Sequence, residues 1–324
     1  MAKVLARAEQ GLDRGLVVAS HGRHLVVETT DGGRLICHPR GKKNTAVVGD
    51  RVLWLAPTAG QGDEGTVERI EPRRNLFHRQ DELRTKSFAA NLDQVLILLA
   101  AEPEFSESQL ARALVAAEAE RIAPLIALNK SDLVEPFERA WARLGPYRHM
   151  GYGVLPFSLR LSAAVDREHL LPHLEGKATL VLGPSGSGKS TLINCMVPGA
   201  AVETGEISQA LNSGRHTTTS TRWYWLDAPA AGPGRAWEAR AALIDSPGFQ
   251  EFGLRHIDPM QLATLMPDLR PHVGHCRFYN CSHRHEPGCA VLAAGARPLT
   301  EGGISPSRLR IHGELFDELS QARY

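Results

Sequence analysis

The stretch "ATLVLGPSGSGKSTLIN", residues 178–194, decides the fold. A run of apolar residues ends in a glycine-rich turn, and the turn opens into a helical segment from about Lys189. Gly183, Gly188, Lys189 and Ser190 fill the pattern G-x-x-x-x-G-K-[ST], in the strand–turn–helix context that the pattern needs. Glycines let backbone N–H groups wrap phosphates, Lys189 reaches the β and γ oxygens, and the Ser190 hydroxyl is suited to Mg²⁺. The helix N-terminus adds positive potential. Ser185, Gly186, Ser187 and Thr191 complete the candidate set around the phosphates. A glycine-rich turn with no ligand is the bland alternative, and the full pattern in its proper context argues against it.

A phosphate cradle does not choose the base. About fifty residues earlier, "LNKSD" (128–132) ends another apolar run, "APLIALN". Asp132 can accept from the N1–H and N2–H₂ of guanine, Asn129 suits O6 and N7, and the Lys130 stem can lie on the ring. Downstream, "LIDSPGF" places Asp245 to hold a Mg²⁺-bound water and Gly248 to approach a γ-phosphate. Between the two lies "GRHTTTS" (214–220), with Thr217, Thr218 and Thr219 as hydroxyl ligands for Mg²⁺, Thr218 being the choice. The guanine reader thus precedes the cradle, whereas ordinary GTPases have the cradle first. Loops that meet at the carboxyl ends of parallel strands need no fixed chain order, so a circularly permuted domain is expected.

Around this centre the texture differs. With 324 residues, about two domains and an additional small module are expected. Residues 15–75 read as short strands broken by turns ("GLVVAS", "HLVVETT", "RLICHP", "DRVLWLAP", "EGTVERIEP"), a small barrel of OB or SH3-like type. From "QVLILLA" onward, buried strands alternate with helices, among them "SESQLARALVAAEAERI" with Ser106 as cap and Leu110, Leu114, Ala117 and Ile122 on one face. "APAAGPG" looks like a hairpin loop, and "SPSRLRIHGELFDELSQ" like a terminal helix capped by Ser305.

Net charge is only +1, so any nucleic-acid contact must be local. Arg34, Arg40, Lys42, Lys43 and Arg51 lie near one acid, Asp50, either as a solvated face or as an RNA contact. The N-terminus lacks the apolar region of a signal peptide, and the longest apolar run is too short to span a bilayer, so a cytoplasmic chain without membrane contact is expected. Cys37 and Cys195 read as small core residues. Cys276, Cys281, His283 and Cys289, in "CRFYNCSHRHEPGC", form a closed three-thiolate, one-imidazole set for a structural Zn²⁺. His275 and His285 read as surface or supporting histidines, and an odd cysteine count argues against disulfides.

In this order the motifs resemble the RsgA (YjeQ/YloQ) family of circularly permuted GTPases, over nearly the whole chain. The resemblance rests on "AANLDQ" (89–94), "LNKSD", "GPSGSGKS", "GRHTTT", "DSPGF" followed by "EFGL", and "GHCRFYNCSHRHEPGCAV". It implies an OB-fold barrel (1–88), a permuted α/β P-loop GTPase (89–252) and a zinc-binding helical domain (253–324). It implies GTP/GDP, Mg²⁺ and one structural Zn²⁺, and action on the small ribosomal subunit and its rRNA; a monomer is expected. The small-residue loop that follows the guanine tetrad in the family is weakly marked, with Ser158 or "LSA" (161–163) as candidates, and the "APAAGPG" loop is long.

Many GTPases orient water with a glutamine directly after the D-x-x-G turn. Phe249 stands there, so intrinsic hydrolysis should be slow; His216 is the candidate catalytic residue, and Gln250 lies one residue too far along. A partner that orders the threonine loop would then accelerate the reaction. A P-loop ATPase or kinase, and a non-catalytic RNA-binding scaffold, are the alternatives. The permutation also leaves fewer than thirty residues between Gly248 and Cys276, a short path from the γ-phosphate turn to the zinc module.

Overall fold

The computed structural model describes residues 11–41, 45–57, 63–82, 84–197, 199, 200, 202, 221–226, 237, 240–247 and 252–321. The loop "APAAGPG" lies outside them.

Five strands, β1 (Asp13–His21), β2 (His24–Thr29), β3 (Arg34–Pro39), β4 (Arg51–Leu55) and β5 (Gly65–Ile70), close a barrel. β1 pairs with β2 and β4, β2 with β3, and β4 with β5, all antiparallel, whereas β3 and β5 run parallel. A simple meander has no parallel pair. This Greek-key closure is that of the OB-fold, which decides between the two barrels the strand pattern allows. Val17, Leu25, Val27, Cys37, Val52 and Val67 fill the interior.

A hairpin, β6 (Leu76–Gln80) and β7 (Thr85–Ala90), follows the barrel. Asn91, at φ 58, then turns the chain. Its side chain accepts from the Arg74 N–H at 2.9 Å and donates to the Gly49 carbonyl at 2.9 Å. Asp93 accepts from the Ala178 N–H at 2.9 Å, so "NLD" ties the barrel, the hairpin and the start of a central strand together.

The central sheet has the order β10–β9–β8–β11–β13–β12: β8 (Gln94–Ala100), β9 (Ala123–Asn129), β10 (Gly153–Pro156), β11 (Ala178–Leu182), β12 (Arg222–Trp225) and β13 (Ala242–Asp245). All neighbours are parallel except β12, which is antiparallel to β13 and touches the barrel through Ala19 and Arg222. Both faces of the sheet are covered, which explains the unbroken apolar run of β8. Val95, Ile97 and Leu99 face α1 (Glu107–Ala119), while Leu96 and Leu98 face α4 (Ala163–Leu174) and α5 (Lys189–Met196). Two further helices, α2 (Val134–Arg143) and α3 (Gly145–His149), link β9 to β10.

Ser106 caps α1 by accepting from the Gln109 N–H. The helix stops at Ala119 with Arg121 at φ 55, so Ile122, expected on its apolar face, instead reaches the core from the segment beyond it. One apolar stripe is also too narrow a description. Leu110, Ala111, Ala113, Leu114, Val115, Ala116 and Ala117 are all buried, because α1 lies between the sheet and the C-terminal segment.

That segment holds short 3₁₀ turns, α6 (Ala290–Ala294) and α7 (Pro306–Ser320), capped by Ser305 as the sequence predicts. Ile311, Leu315 and Leu319 of α7 join Leu262, Met266 and Leu269 in the core that also receives α1. Within it Arg308, 2% exposed, makes a two-pronged ion pair with Asp268 at 2.8 and 3.0 Å. Arg308→Ala strands a buried carboxylate and is expected to cost about 3–5 kcal/mol. Arg308→Met with Asp268→Leu should recover most of it, as measured by urea unfolding followed by circular dichroism.

Candidate functional site

The sheet changes direction between β8 and β11: from β8 the chain proceeds to β9 and β10, then returns to β11 on the other side. Open α/β sheets bind ligands at the carboxyl edge of such a switch point. The glycine-rich turn leaves β11 there. A Cβ on Gly183 would lie 2.5 Å from the Leu98 carbonyl oxygen, so only glycine lets the turn pass the end of β8. Gly188 sits at φ +100, and a Cβ there would meet the Asn129 side-chain nitrogen at 2.4 Å.

α5 begins after Gly188 with no side-chain cap, leaving its first N–H groups without the usual side-chain acceptor. The Ser187 hydroxyl is buried and has no hydrogen-bond partner among the described residues. Burial pushes the Lys189 amine below the ordinary lysine pKa, while Asp245 acts in the opposite sense. An uncapped helix start with a desolvated lysine fits a phosphate group. Ser185, Gly186, Ser190 and Thr191 line this turn or the first turn of the helix. Asp245, 2% exposed, ends β13, and the next residue, Ser246, donates to the Val181 carbonyl at 2.7 Å.

The tetrad lies beside this cradle. Asn129, 5% exposed, donates to the Ser187 carbonyl at 3.0 Å and accepts from the N–H groups of Lys130 at 2.8 Å and Leu159 at 3.3 Å. Lys130 takes φ 68, and its amine donates to the Glu102 carbonyl. Ser158 donates its hydroxyl to Asp132 at 2.7 Å, which selects it over "LSA" as the small residue against the tetrad. The buried Asp166 carboxylate holds that loop by accepting the Ser158 N–H at 2.8 Å and the Ser162 hydroxyl at 3.4 Å. Sequence reasoning missed Asp166; its signal was a Ser and an Asp four residues apart at the start of α4. His216, Thr217, Thr218, Thr219, Gly248, Phe249 and Gln250 lie outside the described residues.

Cys276, Cys281, His283 and Cys289 converge, with all ligand atoms within 4.8 Å of one another. The Cys276 and Cys289 sulfurs are 3.9 Å apart, and the His283 Nδ1 lies 3.4 and 3.5 Å from them. A tetrahedral ion with metal–sulfur distances of about 2.3 Å and metal–nitrogen distances of about 2.0–2.1 Å has edges of about 3.8 and 3.6 Å. A disulfide would need about 2.05 Å. The residues therefore fit Zn²⁺. Against burial, the backbone N–H groups of Ala290 and Val291 hold the Cys276 thiol below its usual pKa. His275 and His285 are exposed and outside the cluster.

The basic stretch on the barrel is less positive than its sequence suggests. Arg34 pairs with Glu28 and Arg40 with Glu68, acids contributed by other strands. Lys42 and Lys43 lie outside the described residues. Among the described residues, no helix is long and apolar enough to cross a membrane.

A sequence profile of the family "RsgA GTPase" matches residues 70–255. A protein of Variovorax paradoxus, "Small ribosomal subunit biogenesis GTPase RsgA", is 68% identical over 97% of this chain and 94% of its own. One of the same name from Paraburkholderia phytofirmans is 51% identical over 95% and 93%. Among solved structures, YjeQ from Thermotoga maritima superposes with a TM-score of 0.71 at 27% identity, covering 96% of this chain and 100% of its own. YloQ, described as a circularly permuted GTPase, gives 0.67 at 25% identity, with 97% of each chain covered.

Gly188→Ala is expected to weaken nucleotide binding by about tenfold or more, because a left-handed Cβ costs about 1–2 kcal/mol before any clash with Asn129. Titration with a fluorescent guanine nucleotide measures it.

Proposed function

The chain belongs to the RsgA GTPase family and hydrolyses GTP; from that premise we propose that it acts on the small ribosomal subunit during late maturation, with hydrolysis stimulated by that particle. The observation that carries the site assignment is the Asn129–Ser187 bond, which holds a guanine-reading loop against a phosphate-binding turn.

In this reading Asp132 accepts from the guanine N1–H and N2–H₂, with Ser158 fixing its carboxylate and Asn129 and Lys130 framing the base. N–H groups of the turn from Gly183 to Ser190, with Thr191 behind them, surround the phosphates. The Lys189 amine, whose charged form burial disfavours, gains an anionic partner when a β or γ oxygen arrives. Ser190 and Thr218 would hold a Mg²⁺ ion accompanying the nucleotide, with Asp245 orienting a water beside it; the ion would supply positive charge to the phosphates. Gly248 is assigned to the γ-phosphate and His216 to orienting the attacking water.

Cys276, Cys281, His283 and Cys289 hold one structural Zn²⁺, which cross-links a segment that has little regular structure of its own. The barrel, residues 1–88, and the C-terminal module, 253–324, are the proposed rRNA contacts flanking the GTPase domain, 89–252. The working form is a cytoplasmic monomer.

Purified small ribosomal subunits should raise the GTP turnover rate well above that of the free protein. An unchanged rate removes the ribosome from this proposal. Asp132→Asn should shift preference from guanine to xanthine nucleotides by at least about 100-fold, since two hydrogen bonds to a charged carboxylate are each worth about 1.5–3 kcal/mol. Competition between GTP and XTP measures the shift.

A further inference from the structure

A second group of metal-ligating side chains lies on the barrel, far in sequence from the cysteine cluster. His24 opens β2, His38 stands near the end of β3, and Glu64 immediately precedes β5. In the β2–β3 register Leu25 opposes Cys37, and both side chains are fully buried. Alternation therefore turns His24 and His38 outward, side by side, with ring centroids 4.8 Å apart and planes at 61°. The parallel β3–β5 pairing, Cys37 beside Gly65, carries Glu64 to the same place, where its carboxylate contacts the His38 Nε2. The ligand atoms of the three residues all lie within 4.8 Å of one another.

We propose that His24, His38 and Glu64 form a second metal site, which takes a divalent transition ion of the Zn²⁺ or Ni²⁺ kind. Two imidazoles and one carboxylate select ions of this softness; Ca²⁺ and Mg²⁺ ask for oxygen ligands, and the neighbouring Cys37 thiol points into the barrel, away from the site. Ligand distances of about 2.0–2.2 Å require ligand–ligand edges of about 3.3–3.5 Å in a tetrahedron. Rotation about χ brings the solvent-accessible imidazole and carboxylate side chains to these edges, the wider pairs closing and the direct His38–Glu64 contact opening, over a backbone that the barrel holds fixed. Three protein ligands leave at least one position for water or an outside donor. The bound ion would join β2, β3 and the approach to β5.

The test uses the full chain without a polyhistidine tag, carrying its cysteine-bound zinc and titrated with Ni²⁺ alone. Isothermal calorimetry and elemental analysis of the same samples are expected to show one Ni²⁺ per chain beyond that zinc. His24→Ala with His38→Ala should abolish this binding while the zinc content and GTP turnover stay as in the parent. Glu64→Gln should weaken it at least about tenfold, as loss of even an outer partner does in metal sites. Absence of saturable Ni²⁺ binding in the parent chain, or equal binding in the double variant, overturns the site; equal binding in Glu64→Gln overturns the three-ligand assignment. The readout is metal bound per chain, so its failure leaves the hydrolytic reading untouched.

Discussion

The Asn129 amide, donating to the Ser187 carbonyl at 3.0 Å, joins two loops that are nearly sixty residues apart in the chain. It does so because β9 and β11 flank β8 in parallel, so their carboxyl ends emerge at the same sheet edge on either side of it. The contact is tight enough that a Cβ on Gly188 would enter the amide. Ser158 reaches Asp132 through the loop that begins at Phe157, whose carbonyl accepts from the Ser131 N–H at 2.8 Å. In the proposed reading, base recognition and phosphate binding are thereby set at one spacing. Chain order is irrelevant to that spacing; sheet order is not.

The same sheet explains how the module after β13 is connected to the rest. Phe252 packs against Phe77 and Phe88 of the hairpin, with centroids 5.7 and 6.0 Å away. Gly253 and Arg255 continue backbone pairing with Gln80, and Arg112 of α1 contacts both the Phe252 carbonyl and Glu318 of α7. The chain therefore leaves the nucleotide edge into a point where the hairpin, α1 and α7 meet. The permutation leaves Asp245 and its turn, the last of the proposed nucleotide motifs, close in sequence to this junction.

How much of the site was legible depended on how local its chemistry is. The cysteine cluster could be read outright, because four ligands within fourteen residues can close a tetrahedron without help from the rest of the chain. The glycine-rich turn was legible for the same reason: its donors belong to successive backbone N–H groups. The basic stretch misled, since Glu28 and Glu68 neutralise Arg34 and Arg40 only after strand pairing. The Ser162–Asp166 spacing marks a helix start, but not that Asp166 reaches the Ser158 N–H, because that partner is a backbone group set by tertiary packing. The hairpin and the helices between β9 and β11 went unread, being short elements whose burial is shared with neighbours.

The sequence by itself determined the order of the motifs, the candidate residues for chemistry, and a barrel, parallel sheet and cysteine-rich module in succession, because composition, periodicity and short-range spacing carry that information. Only the tertiary structure decided that the barrel closes as an OB-fold, that α1 is buried on nearly every side, and that Ser158 is the residue against Asp132. It also decided that two histidines and a glutamate from three separate segments meet on the barrel. Strand register sets each of these contacts, and register is fixed by the burial of side chains such as Leu25 and Cys37 across strands, which no local pattern records.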